Sequence, residues 1–362
     1  MNLGRLPFIP FSIVARNLQT VELFEISLLS EGVRNWIKLS GIELHAAGII
    51  ATEDSSGFFL QNSENAEGIW FAFEATAEPN VRVVDINGRR INVTERNPEV
   101  NTYFCTTDNF AADCQHLIAY FSSMTGISTS HVQLDIARLP AMRPVLANPL
   151  FTRHVEMLNL CGEMARNEDV IEIVGLFDNI KWLIMTGQYA DDLYCPRVLE
   201  AENVDIENAK FVTVWTILFM KAKTARFVNN ILTNMDINSI IRNWQSKMSN
   251  ENLQRLSVRV QRDDFDLAEV LANLDVMPYD EKRRPKTYQI DYHRGPGEVI
   301  DTSDGNDIVR VDGIVATVGT KDGFLHMFVF PPYVPPPPPP APTTAPSSAP
   351  PTDPPSDENG DI

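Results

Sequence analysis

Between residues 108 and 274, short apolar runs of strand character alternate with helix-like stretches, and this alternation restricts the fold more than any other feature of the chain. The strand runs are His131–Ile136, Met157–Leu160, Lys181–Met185 and Leu256–Val260. Between them the apolar spacing predicts helices. One is capped by Asp108 and runs through Phe121 to a stop at Gly126; one opens at Asn148-Pro149; one covers about 169–178. Two more are expected, from Asp236 through Trp244 and over Asp264–Leu274. Phe211–Met220 is apolar on nearly every side and reads as a buried helix too short to cross a bilayer. Parallel strands need long crossovers, usually helical. The alternation therefore implies helices packed on a mostly parallel sheet, an α/β unit able to curve as an irregular solenoid. The intervals are too uneven for a sequence repeat.

The flanking segments have a different character. Ile69–Thr76 is aromatic and strand-prone, and Val81–Ile86 and Arg90–Thr94 flank Asn87-Gly88, which suits a tight hairpin turn. After the basic loop Asp280–Lys286, the runs Ile308–Val311, Ile314–Val318 and Phe324–Phe330 predict a small antiparallel set, with a turn at Asp312-Gly313. Residues 6–40 read as three short helices. Leu6-Pro7 and Pro10 open the first, striped by Ile13, Val14 and Leu18. Thr20 is the expected cap of a second carrying Leu23, Phe24, Ile26 and Leu28, and Val33, Trp36 and Ile37 face inward from a third. Forty residues cannot hide that much apolar surface alone, so something else must cover it. The expected class is α+β in four parts: helical 1–40, strand-rich 41–107, α/β 108–330, and a tail, 331–362.

Fourteen of the 32 tail residues are Pro, four are acidic and none is basic, a composition that predicts disorder with polyproline II character. The run Pro335, Pro336, Pro337, Pro338, Pro339, Pro340 offers a pre-extended ligand to an aromatic-lined groove of a Pro-binding domain. The same composition also suits a tail that merely solubilises. The chain carries 30 Lys+Arg against 48 Asp+Glu, a net charge of −18, which argues against a nucleic-acid partner because phosphate affinity is built from clustered Lys and Arg. No run of 18 apolar residues exists, so no membrane span is expected. Pro7 and Pro10 interrupt the apolar start and make it a poor signal peptide. The four Cys lack C-x-x-C spacing and suit a reducing compartment. An intracellular protein, cytoplasmic or nuclear, is expected.

Catalytic motifs are missing. There is no phosphate loop, no nucleophile elbow and no H-E-x-x-H. The six His show no ligand spacing. Asp301–Asp307 resembles a calcium loop but lacks the closing Glu and reads as a turn. Asp263, Asp264 and Asp266 read as first-turn acids of a helix. Cys114 and His116, two apart on a helix, point in different directions. Lys282–Lys286 between Tyr279 and Tyr288 suits either single-strand stacking or, in preference, a solvated loop. Neither an enzyme nor a cofactor is expected.

The N-terminal order Leu6-Pro7, Val14, Leu18, Leu23, Ser27-Leu-Leu-Ser30, Val33 and Trp36-Ile37 resembles an F-box. It departs at Glu31-Gly32, where basic residues usually follow the serine, and at Pro10, where the first helix usually has leucine. Residues 188–330 resemble the F-box-associated domain of the large nematode F-box families, through Tyr189–Leu193, through Asp236–Trp244 followed by Leu253, Leu256, Val258 and Val260, and through Asp307–Val318. The resemblance implies a substrate-receptor subunit of a cullin-based ubiquitin ligase. Leu6, Pro7, Val14, Leu18 and Leu23 would dock a Skp-family adaptor, and through it a cullin, while the later domain binds an unidentified protein substrate. A self-associating, non-enzymatic scaffold using the N-terminal helices and a tail that recruits a partner is the other reading.

Overall fold

The computed structural model describes residues 8–61, 68–74, 82–86, 88–93, 101–153, 155–163, 165–260, 264–290 and 297–333, with side chains described from Phe11 onward. Three helices lead, α1 (Phe8–Arg16), α2 (Thr20–Ser27) and α3 (Glu31–Leu39). Six strands follow: β1 (Glu43–Ala51), β2 (Ser56–Gln61), β3 (Ile69–Glu74), β4 (Arg82–Ile86), β5 (Arg89–Val93) and β6 (Thr102–Thr106). Then helices and strands alternate through α4 (Phe110–Ser122), β7 (Gly126–Asp135), α5 (Leu139–Leu146), α6 (Pro149–Arg153), β8 (Val155–Cys161), α7 (Asn167–Gly175), β9 (Ile180–Met185) and β10 (Asn203–Ile206). The series continues with α8 (Val214–Leu218), β11 (Thr224–Phe227), α9 (Asn234–Gln245), β12 (Arg255–Arg259), α10 (Leu267–Val270) and β13 (Val276–Met277). A two-stranded ribbon of β14 (Thr287–Ile290) and β15 (Glu298–Asp301) precedes β16 (Asn306–Val309), β17 (Val315–Lys321) and β18 (Phe324–Val329).

Sixteen of these strands form one mixed sheet, in the order β13-β16-β17-β18-β12-β11-β10-β9-β8-β7-β1-β2-β3-β6-β5-β4. At its centre β7 to β12 lie side by side in chain order, all parallel. Alternate residues point one way and are fully buried: Val132 and Leu134, Leu158 and Leu160, Leu183 and Met185, Ile206, Phe227, then Leu256 and Val258. The parallel pairing of β1 with β7 brings the strand-rich 41–107 stretch into the same sheet. The antiparallel set β16–β17–β18 closes the other end against β12.

Rungs of side chains link neighbouring parallel strands and the segments that lead into and out of them. Lys221 pairs with Glu200 (3.0 Å), Lys223 with Glu202 (2.6 Å) and Arg226 with Asp205 (2.7 Å), each 21 residues apart. Thr224 donates to Asn203 and Asn229 to Asn208 over the same separation, while Lys181 reaches Glu156 across 25. Exposed ion pairs contribute only about 0–1 kcal/mol each. Burial of the apolar rows therefore stabilises the stack, and the rungs hold its register.

Several elements differ from the sequence expectation. Asn109, not Asp108, caps α4, because its side chain accepts from the Ala112 N–H. Thr20 is the first residue of α2; Gln19 caps it, in a capping box with Glu22. The capping box of α9 is Thr233 with Asp236, which places Asp236 inside the helix, not at its opening. Asp266 caps a helix of only four residues where Asp264–Leu274 was expected to be helical. The buried helix expected over Phe211–Met220 is the five-residue α8, with Trp215 67% and Phe219 80% exposed. Ile217 is the buried residue of α8, Val214 and Leu218 pack against the core from its sides, and Phe211, Val212 and Met220 are buried in the flanking segments.

The basic loop is exposed at Lys282 and Lys286, as a solvated loop should be, but its central Arg284 is an anchor. Arg284 is fully buried, its Nε 2.7 Å from Asp307 and its other nitrogens donating to Thr302 at 2.8 and 2.9 Å. Its guanidinium lies 4.6 Å from the Tyr279 ring centre and 5.0 Å from that of Phe330. Lys286 pairs with Asp301 at 2.8 Å. Two carboxylates of the calcium-like loop are thus committed to cations of this chain. Removing one member of a buried pair strands the other charge. Asp307→Ala is expected to cost about 3–5 kcal/mol by denaturant titration; Arg284→Met with Asp307→Leu, which removes both charges, is expected to cost less.

Candidate protein-interaction surfaces

The N-terminal helices are pinned to the body along one side. Phe24 of α2 sits 5.1 Å from Phe71, 5.4 Å from Tyr103 and 5.7 Å from Phe121 between ring centres, and Phe11 of α1 packs edge-on against Trp36 of α3 at 5.2 Å. Ser27 hydrogen-bonds Tyr120 at 2.7 Å, and Glu25 accepts from Tyr103 and pairs with Arg82 at 2.9 Å. Burial pushes the Tyr120 hydroxyl upward, so it stays protonated. Arg16 clamps α1 to the end of α3 by donating to the Ser40 carbonyl at 2.8 and 3.0 Å.

That docking sorts the residues singled out from the sequence. Leu23 is 6% exposed and lies in the core, Leu18 is half-buried against it, and Val14 is 38% exposed. Leu6 and Pro7 lie outside the described residues, as does Pro335–Pro340. Among the described residues, the apolar side chains of these helices that the docking leaves bare are Ile13, Leu29 and Leu39, together with Val14. Apolar periodicity locates a stripe, but it does not say which edge of the stripe the body will cover.

A second surface is the outward face of the sheet. In register across it run Ile50, Gln133, Asn159, Ile184, Asp205 and Arg226, all half-buried, then Ser257 and His326. An adjacent row passes through Trp70, Phe59, Gly48, His131, Met157, Trp182, Asn203, Thr224 and Arg255. One end is aromatic: Trp70 stacks on Phe59 at 5.7 Å, and His131 meets Phe59 edge-on at 5.8 Å. At the other end Phe324, His326 and Phe328 stack at 5.8 and 5.2 Å, with Arg226 and Arg259 over Phe324 at 5.2 and 5.4 Å. Aromatic and Arg side chains of this kind are enriched at protein interfaces. A third exposed apolar set, Trp215, Phe219, Ile231 and Met235, is carried by α8, α9 and the segment between them.

On the outward face the Ser257 hydroxyl lies 2.9 Å from the His326 ring, but burial makes that imidazole a weak base. Burial, and secondarily the Asp113 charge, push the Cys105 thiol up to about 12 and the Cys114 thiol upward, so neither supplies a thiolate near neutral pH. Among the described residues, no group of three His, Cys, Asp or Glu is placed to hold a metal ion, and no helix is long and apolar enough to cross a membrane.

The fold is a mixed α+β frame with exposed apolar and aromatic side chains at its N-terminal helices, on its sheet face and around α8. Residues 197–258, covering β10 to β12, match a family model described as F-box associated. A protein of Caenorhabditis elegans, "Uncharacterized protein F59B2.9", is 23% identical over 356 residues, covering 91% of this chain and 78% of that protein. Both findings agree with the nematode-type F-box-associated resemblance of residues 188–330. No solved structure matches the chain.

Two outcomes check this description. Trp215→Ser with Phe219→Ser is expected to leave thermal stability nearly unchanged, whereas Ile217→Ala on the buried side of α8 is expected to cost about 2–5 kcal/mol. Burial, reinforced by the nearby Arg255 charge, lowers the His326 pKa to about 4, and Ser257 bonds its ring at 2.9 Å. The unfolded chain, with an ordinary value near 6.5, binds the proton first, so stability is fully present above about pH 6.5 and falls towards pH 4. His326→Gln is expected to shrink that drop in unfolding midpoint between pH 7 and 4.5; an unchanged drop contradicts the assignment.

Proposed function

We propose that the chain is the substrate-receptor subunit of a cullin-based ubiquitin ligase. The observation that carries this reading is the combination of an F-box-like order in α1–α3 with the F-box-associated match inside the parallel stack. On this reading Ile13, Val14, Leu29 and Leu39 meet a Skp-family adaptor, which links the chain to a cullin. Each aliphatic side chain fully buried on docking contributes roughly 1.5–3 kcal/mol. Leu18 and Leu23 then support the surface from beneath, because both already pack on the core.

The protein to be ubiquitinated is read by the outward sheet face or by the α8–α9 set, which lie within or beside the matched segment. The acidic chain favours a substrate with a basic region, and binding that weakens with salt follows from that. The subunit itself performs no chemistry and takes no cofactor, and it acts in the cytoplasm or the nucleus.

Co-purification tests the reading. The chain is expected to retain a Skp-family adaptor, and Ile13→Asp with Val14→Asp to reduce capture at least about tenfold, since two buried aliphatic contacts exceed 1.4 kcal/mol. Both residues are exposed, so the unfolding midpoint is expected to hold. Capture that survives the change refutes adaptor docking through α1. A stable dimer without adaptor in light scattering favours the self-associating scaffold instead.

A further inference from the structure

A groove of about 560 Å³ opens between the 251–254 loop, the ribbon strand β14 and the end of β18. Its apolar walls are Tyr288, Ile314 and Val329. The Tyr288 ring is fixed in place. It lies 4.7 Å from Phe328 and 5.4 Å, nearly perpendicular, from Phe330, and its hydroxyl donates to the Gln254 carbonyl at 3.0 Å. The rim carries Asn252, Gln254 and Gln289, whose exposed side-chain amides make no hydrogen bond among the described residues. Its remaining wall includes Pro331, two residues before the described chain ends at Tyr333.

We infer that this groove holds the chain's own Pro335–Pro340 run. The tail leaves the described structure from the groove wall itself, and the six prolines begin four positions after Pro331. A proline run has carbonyl acceptors and no N–H, and it presents ring faces that pack on aromatic and aliphatic walls. The groove matches on both counts: a half-buried tyrosine ring flanked by aliphatic side chains, and three amide donors on the rim. A polyproline II segment is already extended, so docking costs it little conformational entropy. A short tether sets an effective concentration in the millimolar range, so even a contact that is weak between separate molecules is mostly closed within one chain. Self-docking then withholds the proline run from any external Pro-binding domain. It does not depend on the ligase reading, since α1–α3 take no part in it.

Hydrogen exchange on the full chain tests this. The comparison is with a full-length variant whose prolines are broken by Pro336→Ser, Pro337→Gly, Pro338→Ser and Pro339→Gly. Amides of 252–254 and 287–290 are expected to exchange about tenfold more slowly in the native chain, and equally so after tenfold dilution. A synthetic peptide of residues 332–343 is expected to restore protection to the variant and to add none to the native chain. Asn252→Ala with Gln289→Ala, both at exposed positions, is expected to raise the peptide's Kd on the broken-tail variant without moving the unfolding midpoint. Equal exchange in the two chains overturns the inference. So does protection lost on dilution, which assigns the groove to a second copy, or equal peptide affinity for both chains, which leaves it open to another protein.

Discussion

Eight parallel partner pairs join β1 to β7, from Glu43 with Gly126 to Ala51 with Leu134, and the rest of the molecule depends on this seam. On one side lie strands that pair mainly antiparallel and carry α1–α3; on the other runs the parallel stack from β7 to β12. The seam needs glycine at 48. A Cβ there would fall 2.0 Å from the Phe59 ring, which lies across the strand towards His131. A larger residue must push that ring aside and break the row of outward side chains where the two halves meet.

A rigid frame of this kind suits a receptor. The helices at one end are held by Phe24 and its aromatic neighbours, and the outward rows at the centre are held by strand pairing. Because the buried apolar rows carry stability, half-buried outward positions such as Trp182 and Ile184 can differ at little cost to the stack, whereas Gly48 cannot. On the proposed reading, binding specificity resides in side chains such as Trp182, Ile184 and Arg226, which stand on neighbouring strands, and affinity for an adaptor resides in the helices.

Most strands can be read from the amino-acid order, because their inward residues form apolar runs: β8, β9, β12 and β18 fall within about two residues of expectation. The hairpin of β4 and β5 and the turn at Gly313 follow from residues that accept positive φ. What local pattern does not carry is partnership at long range. The Arg284–Asp307 pair spans 23 residues, so a run of basic residues looks like a patch when its central member is in fact a buried anchor. The surfaces were hidden for the same reason. Periodicity marks Ile13, Leu29, Leu39, Trp215 and Phe219 as apolar, yet only the packed structure shows that the body leaves them bare. Helix length at 211–220 and 264–274 was overestimated because apolar content alone does not mark where packing ends.

On the proposed reading one frame carries an adaptor-binding end and a separate recognition face, and mapping hydrogen exchange in a purified complex with a Skp-family adaptor tests that most directly. The expected result is one adaptor per chain, with protection confined to residues 8–40 and unchanged exchange along β8 to β12. Protection on the outward face of those strands, with residues 8–40 unaffected, would contradict it.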